Sequence, residues 1–198
     1  MKTINRALGV SALALAFVVT GCSAGGSTGT TPAASPGITA APSSAPASSE
    51  ANAADEMFVT MMLPHHQQAV EMSEMVLEKD GLDPRVADLA ERIRDAQAPE
   101  IEQLQGWLDE WGVDASGGGH SGGGMMSEDD MQALQDADGA EAGPLFLQQM
   151  LAHHEGAVEM AETEVADGQH PDVVALAQQI ADAQSAEIAE MEQLLTEL

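Results

Sequence analysis

From residue 55 onward, apolar side chains recur every three and four positions, the period of a helix buried along one face. Phe58, Met62, His65, Ala69, Met72 and Val76 form one stripe, and Val59, Leu63, His66, Val70 and Leu77 run beside it. A later segment repeats this arrangement with Phe146, Met150, His153, Ala157 and Met160, flanked by Leu147, Leu151, His154, Val158 and Val165. Two further stripes predict partner helices: Val86, Leu89, Ile93, Gln97, Glu100 and Leu104, then Val173, Leu176, Ile180, Gln184, Glu187 and Met191. No run alternates with the period of two that marks a half-buried strand.

The repetition is a duplication. Phe58 to Glu74 matches Phe146 to Glu162 at ten of seventeen positions, and Pro84 to Ile101 matches Pro171 to Ile188 at ten of eighteen. Punctuation agrees: Gly81 is expected to end the first helix, and Asp83-Pro84 supplies an N-cap with proline at the first helical position. Gly112 follows Trp111, and Gly168 and Pro171 repeat the break in the second copy. Ser127 to Asp130 resembles a capping box opening a short helix to about Ala137. Gly143-Pro144 predicts that the first helix of the second copy starts at Pro144, while Pro64 and Pro99 fall inside helical periodicity, where each should bend its helix. The expected fold is all-α: two duplicated hairpins docked as a four-helix bundle, with a short extra helix in the central connection.

The chain ahead of this head reads differently. Lys2 and Arg6 precede an apolar run, Leu8 to Val19, too short to span a bilayer and suited to a secretory signal. The run ends in Val19-Thr20-Gly21-Cys22, which resembles the bacterial lipobox, and the resemblance implies cleavage before Cys22 and its lipidation. Residues 22–54 are rich in Ser, Ala, Thr, Pro and Gly, a composition that cannot offset its own ordering entropy and predicts a disordered stalk. The expected organisation is a lipoprotein signal peptide over 1–21, a linker over 22–54 and the bundle over 55–198. Within the bundle, repeat 1 covers 55–112, the loop and short helix 113–142, and repeat 2 143–198.

Charge narrows the function. Thirty-three Asp and Glu against six Lys and Arg give a formal charge of −27, and loss of Lys2 and Arg6 leaves four basic residues. Such a chain lacks the basic face that nucleic acid requires and is repelled by anionic lipid, so membrane attachment is expected through the lipid anchor alone. A single Cys excludes a disulfide framework and a Cys-based zinc site. The protein is expected outside the cytoplasm, tethered to the cell membrane.

What remains chemically distinctive lies on the core stripe. His65, His66, His153 and His154 occur in the same register in both copies, with Met62, Met72, Met150 and Met160 on the same faces. Imidazole with thioether is a soft ligand set suited to Cu(I). Methionine is also a flexible core filler, so packing and ligation both stand for each of these side chains, and His66 and His154 either bind or pack. Gln97, Glu100, Gln184 and Glu187 on the partner helices either orient the inner histidines by hydrogen bonds or ligate directly. His120, Met125 and Met126, in the glycine-rich stretch 117–126, form either a capture loop or a plain connector.

The phrases Met61-Met62-Leu63-Pro64-His65-His66-Gln67-Gln68-Ala69 and Met150-Leu151-Ala152-His153-His154-Glu155-Gly156-Ala157 resemble the signature of the DUF305 family, as do the Gln-x-x-Glu-Ile segments that follow. The resemblance covers residues 55–198. It implies a ferritin-like bundle, usually exported, with copper binding in some members, carried by the four histidines and their methionine companions. Three functions stay open: Cu(I) buffering or transfer, a ferritin-like di-metal oxidase using Glu100, Glu187 and the histidines with iron, and a metal-free acidic interaction module. Zinc is a further candidate ion. The sequence identifies no protein partner and no catalytic residue.

Overall fold

The computed structural model describes residues 50–114 and 123–198. Five helices occupy them: α1 (Ala53–Leu77), α2 (Pro84–Trp111), α3 (Glu128–Asp136), α4 (Gly139–Asp167) and α5 (Pro171–Glu197), with no strand among the described residues. The signal peptide, Cys22, most of the linker and His120 lie outside them.

The start signals act through side-chain oxygens. Asn52 caps α1 in a reciprocal box with Asp55, Asp83 caps α2 ahead of Pro84, and Ser127 and Asp130 form the capping box of α3. Gly112 closes α2 in the left-handed conformation, φ +67°. Helix α1 begins at Ala53, two residues ahead of the expected boundary of the head. It ends at Leu77, and Gly81 (φ +81°) shapes the connection rather than the helix end. Helices α1 and α2 run through Pro64 and Pro99 without interruption.

One boundary expected from the sequence is wrong. Helix α4 begins at Gly139, not Pro144, because the Asp138 carboxylate accepts from the amides of Ala140 and Glu141 and caps the helix five residues earlier. Pro144 sits in the second turn, where it cannot donate to the Ala140 carbonyl, and the helix runs through it nonetheless. Gly139 is buried against the α1–α2 connection, where a Cβ would lie 1.9 Å from the Asp80 carbonyl oxygen.

Within each repeat the two helices pair antiparallel, and α1 crosses α4. Arg85 and Arg92 of α2 reach Glu197 and Glu190 of α5, so these two helices are also antiparallel neighbours. The α2–α4 connection carries α3 along the bundle, giving the single long crossover of ferritin-like topology. Lys79 donates to the carbonyl of Gln135, and Gln149 to that of Asp130, fixing α3 to the α1–α2 connection and to α4.

Two apolar clusters fill the interior. One contains Phe58, Met62, Leu104, Trp107 and Ile180, the other Met72, Leu89, Phe146, Met150 and Met191. The four histidines of the duplicated motif are buried but belong to neither cluster.

Candidate metal centre

Helical phase puts His65 and His66 of α1, and His153 and His154 of α4, on the buried side. The antiparallel crossing of α1 and α4 sets the copies face to face. The His65 and His153 rings lie side by side, centroids 3.7 Å apart and planes tilted by 39°, at the pseudo-two-fold of the duplication. The outer pair turns to the partner helices. His66 Nε2 meets Glu100 Oε2 at 2.8 Å, and His154 Nε2 meets Glu187 Oε2 at 2.7 Å, the same contact in both repeats.

These contacts fix ring chemistry. The carboxylates of Glu100 and Glu187 only accept, so Nε2 of each partner ring donates, and in the neutral ring Nδ1 then carries the lone pair. His65 Nε2 likewise donates to the carbonyl oxygen of Gly123 at 2.7 Å, which leaves its Nδ1 as the lone-pair nitrogen. Among the described residues, the buried Nδ1 atoms of His65, His66 and His154 and both ring nitrogens of His153 have no hydrogen-bond partner. Unpartnered buried polar atoms each cost about 1–3 kcal/mol, so five such nitrogens in one layer are costly unless they serve a ligand.

Burial makes these rings poor bases. It lowers the His65 pKa to about 4, against a partial offset from the Gly123 carbonyl, and His66 and His154 push the same way as burial. His153 is held well below its ordinary value by burial first and then by His65. Both inner rings are therefore neutral at physiological pH, with lone pairs free of proton competition.

The companions divide. Met62, Met72 and Met150 are fully buried as expected, but Met62 joins one apolar cluster while Met72 and Met150 join the other. The four methionines therefore do not gather in one dry place. Met160 is half-buried, packs against the first cluster and lines a surface groove. Gln97 and Gln184 are buried with their side-chain oxygens unpartnered, whereas Glu100 and Glu187 are engaged by the outer histidines. No three His, Cys, Asp or Glu side chains among the described residues group as a metal-holding set, so any ion here would rest on the imidazole pair with softer donors.

Sequence reasoning missed the cover of this layer. Residues 123–126 form a strap over it, seated by pseudo-equivalent positions of the two repeats. On α1, Gln68 donates to the Met126 carbonyl and accepts from the Met126 amide. On α4, Gly156 occupies the matching position, and a Cβ there would lie 1.7 Å from the Gly123 oxygen. Gly124 (φ +80°) is equally tight, its virtual Cβ 2.3 Å from the Ala152 oxygen and 3.1 Å from His153 Cα. A glycine inside a helix, where the copy has Gln68, was the available signal.

A second buried polar group also escaped. Asp55 and Glu164 are both buried, at the end of the bundle where α1 begins. Asp55 accepts from the amides of Asn52, Gln169 and His170. These bonds, with help from Glu164, outweigh its desolvation and hold its pKa below the usual value. Glu164 is pushed up to about 8, by burial first and then by the neighbouring Asp55 carboxylate, so it is a protonated acid at neutral pH.

The profile of a domain of unknown function, DUF305, matches residues 55–195. A solved DUF305 protein of Streptomyces coelicolor, described as secreted, is 35% identical, with a TM-score of 0.67, covering 73% of this chain and 93% of its own. A DUF305 fragment from Deinococcus radiodurans is 32% identical, with a TM-score of 0.67, covering 75% and 99%. CopM in a Cu(I)-bound form is 33% identical, with a TM-score of 0.63, covering 72% and 96%, and CopM has also been solved with Cu(II) and with silver. No curated protein matches the chain.

Proposed function

The chain belongs to the DUF305 family, and from that premise we propose that it is a copper-binding protein that buffers or passes on Cu(I) outside the cytoplasm. The observation that carries this reading is the pair of neutral, buried rings of His65 and His153, whose Nδ1 atoms have no partner among the described residues. Neutral imidazole suits copper, and a soft monovalent ion needs few ligands, so a two-imidazole centre with thioether support fits it better than an ion that demands carboxylates. His66 and His154, oriented by Glu100 and Glu187, stand behind the pair. Met62, Met72 and Met150 are the buried thioethers above and below the layer. The copper-bound and silver-bound forms of CopM support the choice of ion.

The placement outside the cytoplasm rests on the lipobox-like Val19 to Cys22, with residues 1–21 as signal and the stretch from Cys22 as tether to the bundle. No helix among the described residues is long and apolar enough to cross a membrane.

The test is an anaerobic competition titration of the full chain with Cu(I) against a chromophoric chelator, run beside Zn(II) and Fe(II). Tight Cu(I) uptake that disappears in His65→Ala/His153→Ala is the expected result. Unchanged Cu(I) affinity in that variant, or a preference for iron or zinc, overturns the reading.

A further inference from the structure

Eleven of the twelve methionines lie among the described residues, and Met62, Met72, Met150 and Met191 are fully buried. The other seven all line one of two surface grooves beside the strap. Met75, Met125, Met126 and Met131 line one of them, where three of the four also pack against the second core cluster. Met57, Met61 and Met160 line the other, a groove of about 510 Å³ between α1 and α4.

We propose that the groove formed by Met57, Met61 and Met160 is a second, thioether-based site for a soft monovalent cation, Cu(I) or Ag(I), separate from the His65–His153 pair. Core filling does not explain Met57, which at 63% exposed is the most solvent-exposed large apolar side chain among the described residues. Met57 and Met61 are one helical turn apart on α1 and so share a face. Met160 forms the facing wall on α4, and its thioether rests over Gly123, where a Cβ would lie 3.3 Å from both Sδ and Cε.

A purely apolar groove would be served equally by leucine. Three thioethers instead present neutral soft donors that need no deprotonation, and the exposed carboxylates of Glu159 and Asp167 on the same lining favour a cation over an anionic or strongly apolar occupant. Gly123 joins the two sites, since its backbone lines the groove while its carbonyl holds His65. The groove and the histidine layer thus share one residue. The choice of a soft ion rests on the copper reading, but the position does not involve the histidines.

The experiment is a titration of the full chain, labelled at its methionine methyl carbons, with Ag(I), followed by NMR of those methyls. The methyl resonances of Met57, Met61 and Met160 are expected to shift together at stoichiometric Ag(I), to ignore Zn(II), and to respond in the same way in His65→Ala/His153→Ala. Methyls that stay in place until Ag(I) is in large excess, or that move only when the histidines are present, overturn the groove site. Shifted methyls with no histidine-dependent uptake sink the core reading alone, and unmoved methyls with intact histidine-dependent uptake sink the groove alone. Met57→Leu/Met61→Leu/Met160→Leu keeps side-chain volume nearly constant and should lower silver stoichiometry by one site; unaltered stoichiometry contradicts the proposal.

Discussion

Gly156→Ala tests whether the strap is seated on α4 as described. The new methyl would stand 1.7 Å from the oxygen and 2.0 Å from the carbonyl carbon of Gly123, and 2.6 Å from the Gly124 amide nitrogen. All three are backbone atoms, so no side chain can swing aside. Helix α4 is packed on α1 and α5 and cannot retreat, which leaves the strap to lift by more than an ångström. Lifting breaks the 2.7 Å bond from His65 Nε2 to Gly123 and orphans a buried donor. Overpacking costs about 1–3 kcal/mol, the orphaned donor about 1–3 kcal/mol, and the helix propensity of alanine returns about 1 kcal/mol. The net is a destabilisation of about 1–5 kcal/mol.

The assay is equilibrium urea unfolding of the full chain beside Gly106→Ala. Gly106 is an exposed position inside α2 with nothing within 4 Å of the added methyl, so that variant should gain up to about 1 kcal/mol. If Gly156→Ala is as stable as Gly106→Ala, the strap does not rest on the helix, and the tautomer assigned to His65 loses its basis.

Two further outcomes follow from the buried polar groups. Glu164 has a folded pKa of about 8 against an ordinary 4.5, so the stability it contributes is complete below pH 4.5 and is lost as pH rises through 8. Glu164→Gln should therefore gain on the parent protein steadily across that window in pH-dependent urea melts, and a difference that stays flat with pH would contradict the assignment. Asp55 has the opposite sign, its contribution being present above 3.8 and lost as pH falls through its lowered folded value, so Asp55→Asn should cost most at neutral pH and least in acid. At the outer histidines, Glu100→Ala or Glu187→Ala leaves a buried Nε2–H unpartnered and should cost about 1–3 kcal/mol, while the glutamine variants keep an acceptor and should lose about 1 kcal/mol or less. Equal losses for Ala and Gln would mean that these contacts do not orient the rings.

The bundle was legible because its cues are local and doubled. The Phe58 and Phe146 stripes, the Asp83-Pro84 start and the Ser127 box each act within one or two turns, and the duplication repeats most of them. Gly143-Pro144 resembles a helix start and so misplaces the beginning of α4 at Pro144, whereas the cap that acts is Asp138, five residues before Gly143. The sequence places Gln97, Glu100, Gln184 and Glu187 as a set beside the inner histidines, whereas Glu100 and Glu187 reach the outer pair. Which residue of each Gln–Glu pair makes contact depends on helix rotation, because residues three apart differ by only about 60° around the axis. Met160 keeps the phase of His153, yet it lines a surface groove with Ala53, Ala54, Met57 and Met61 instead of joining the buried layer. Asp55 and Glu164 are 109 positions apart and meet only through the α1–α4 register, which no local pattern encodes.

The proposed copper site is the pair of inner imidazoles. Its most direct measurement is Cu K-edge X-ray absorption of the full chain carrying Met57→Leu/Met61→Leu/Met160→Leu, loaded anaerobically with one equivalent of Cu(I). The prediction is the outer-shell scattering pattern of coordinated imidazole, lost when His65→Ala/His153→Ala is added. A spectrum with sulfur neighbours alone, or one unchanged by removing the two histidines, would contradict it.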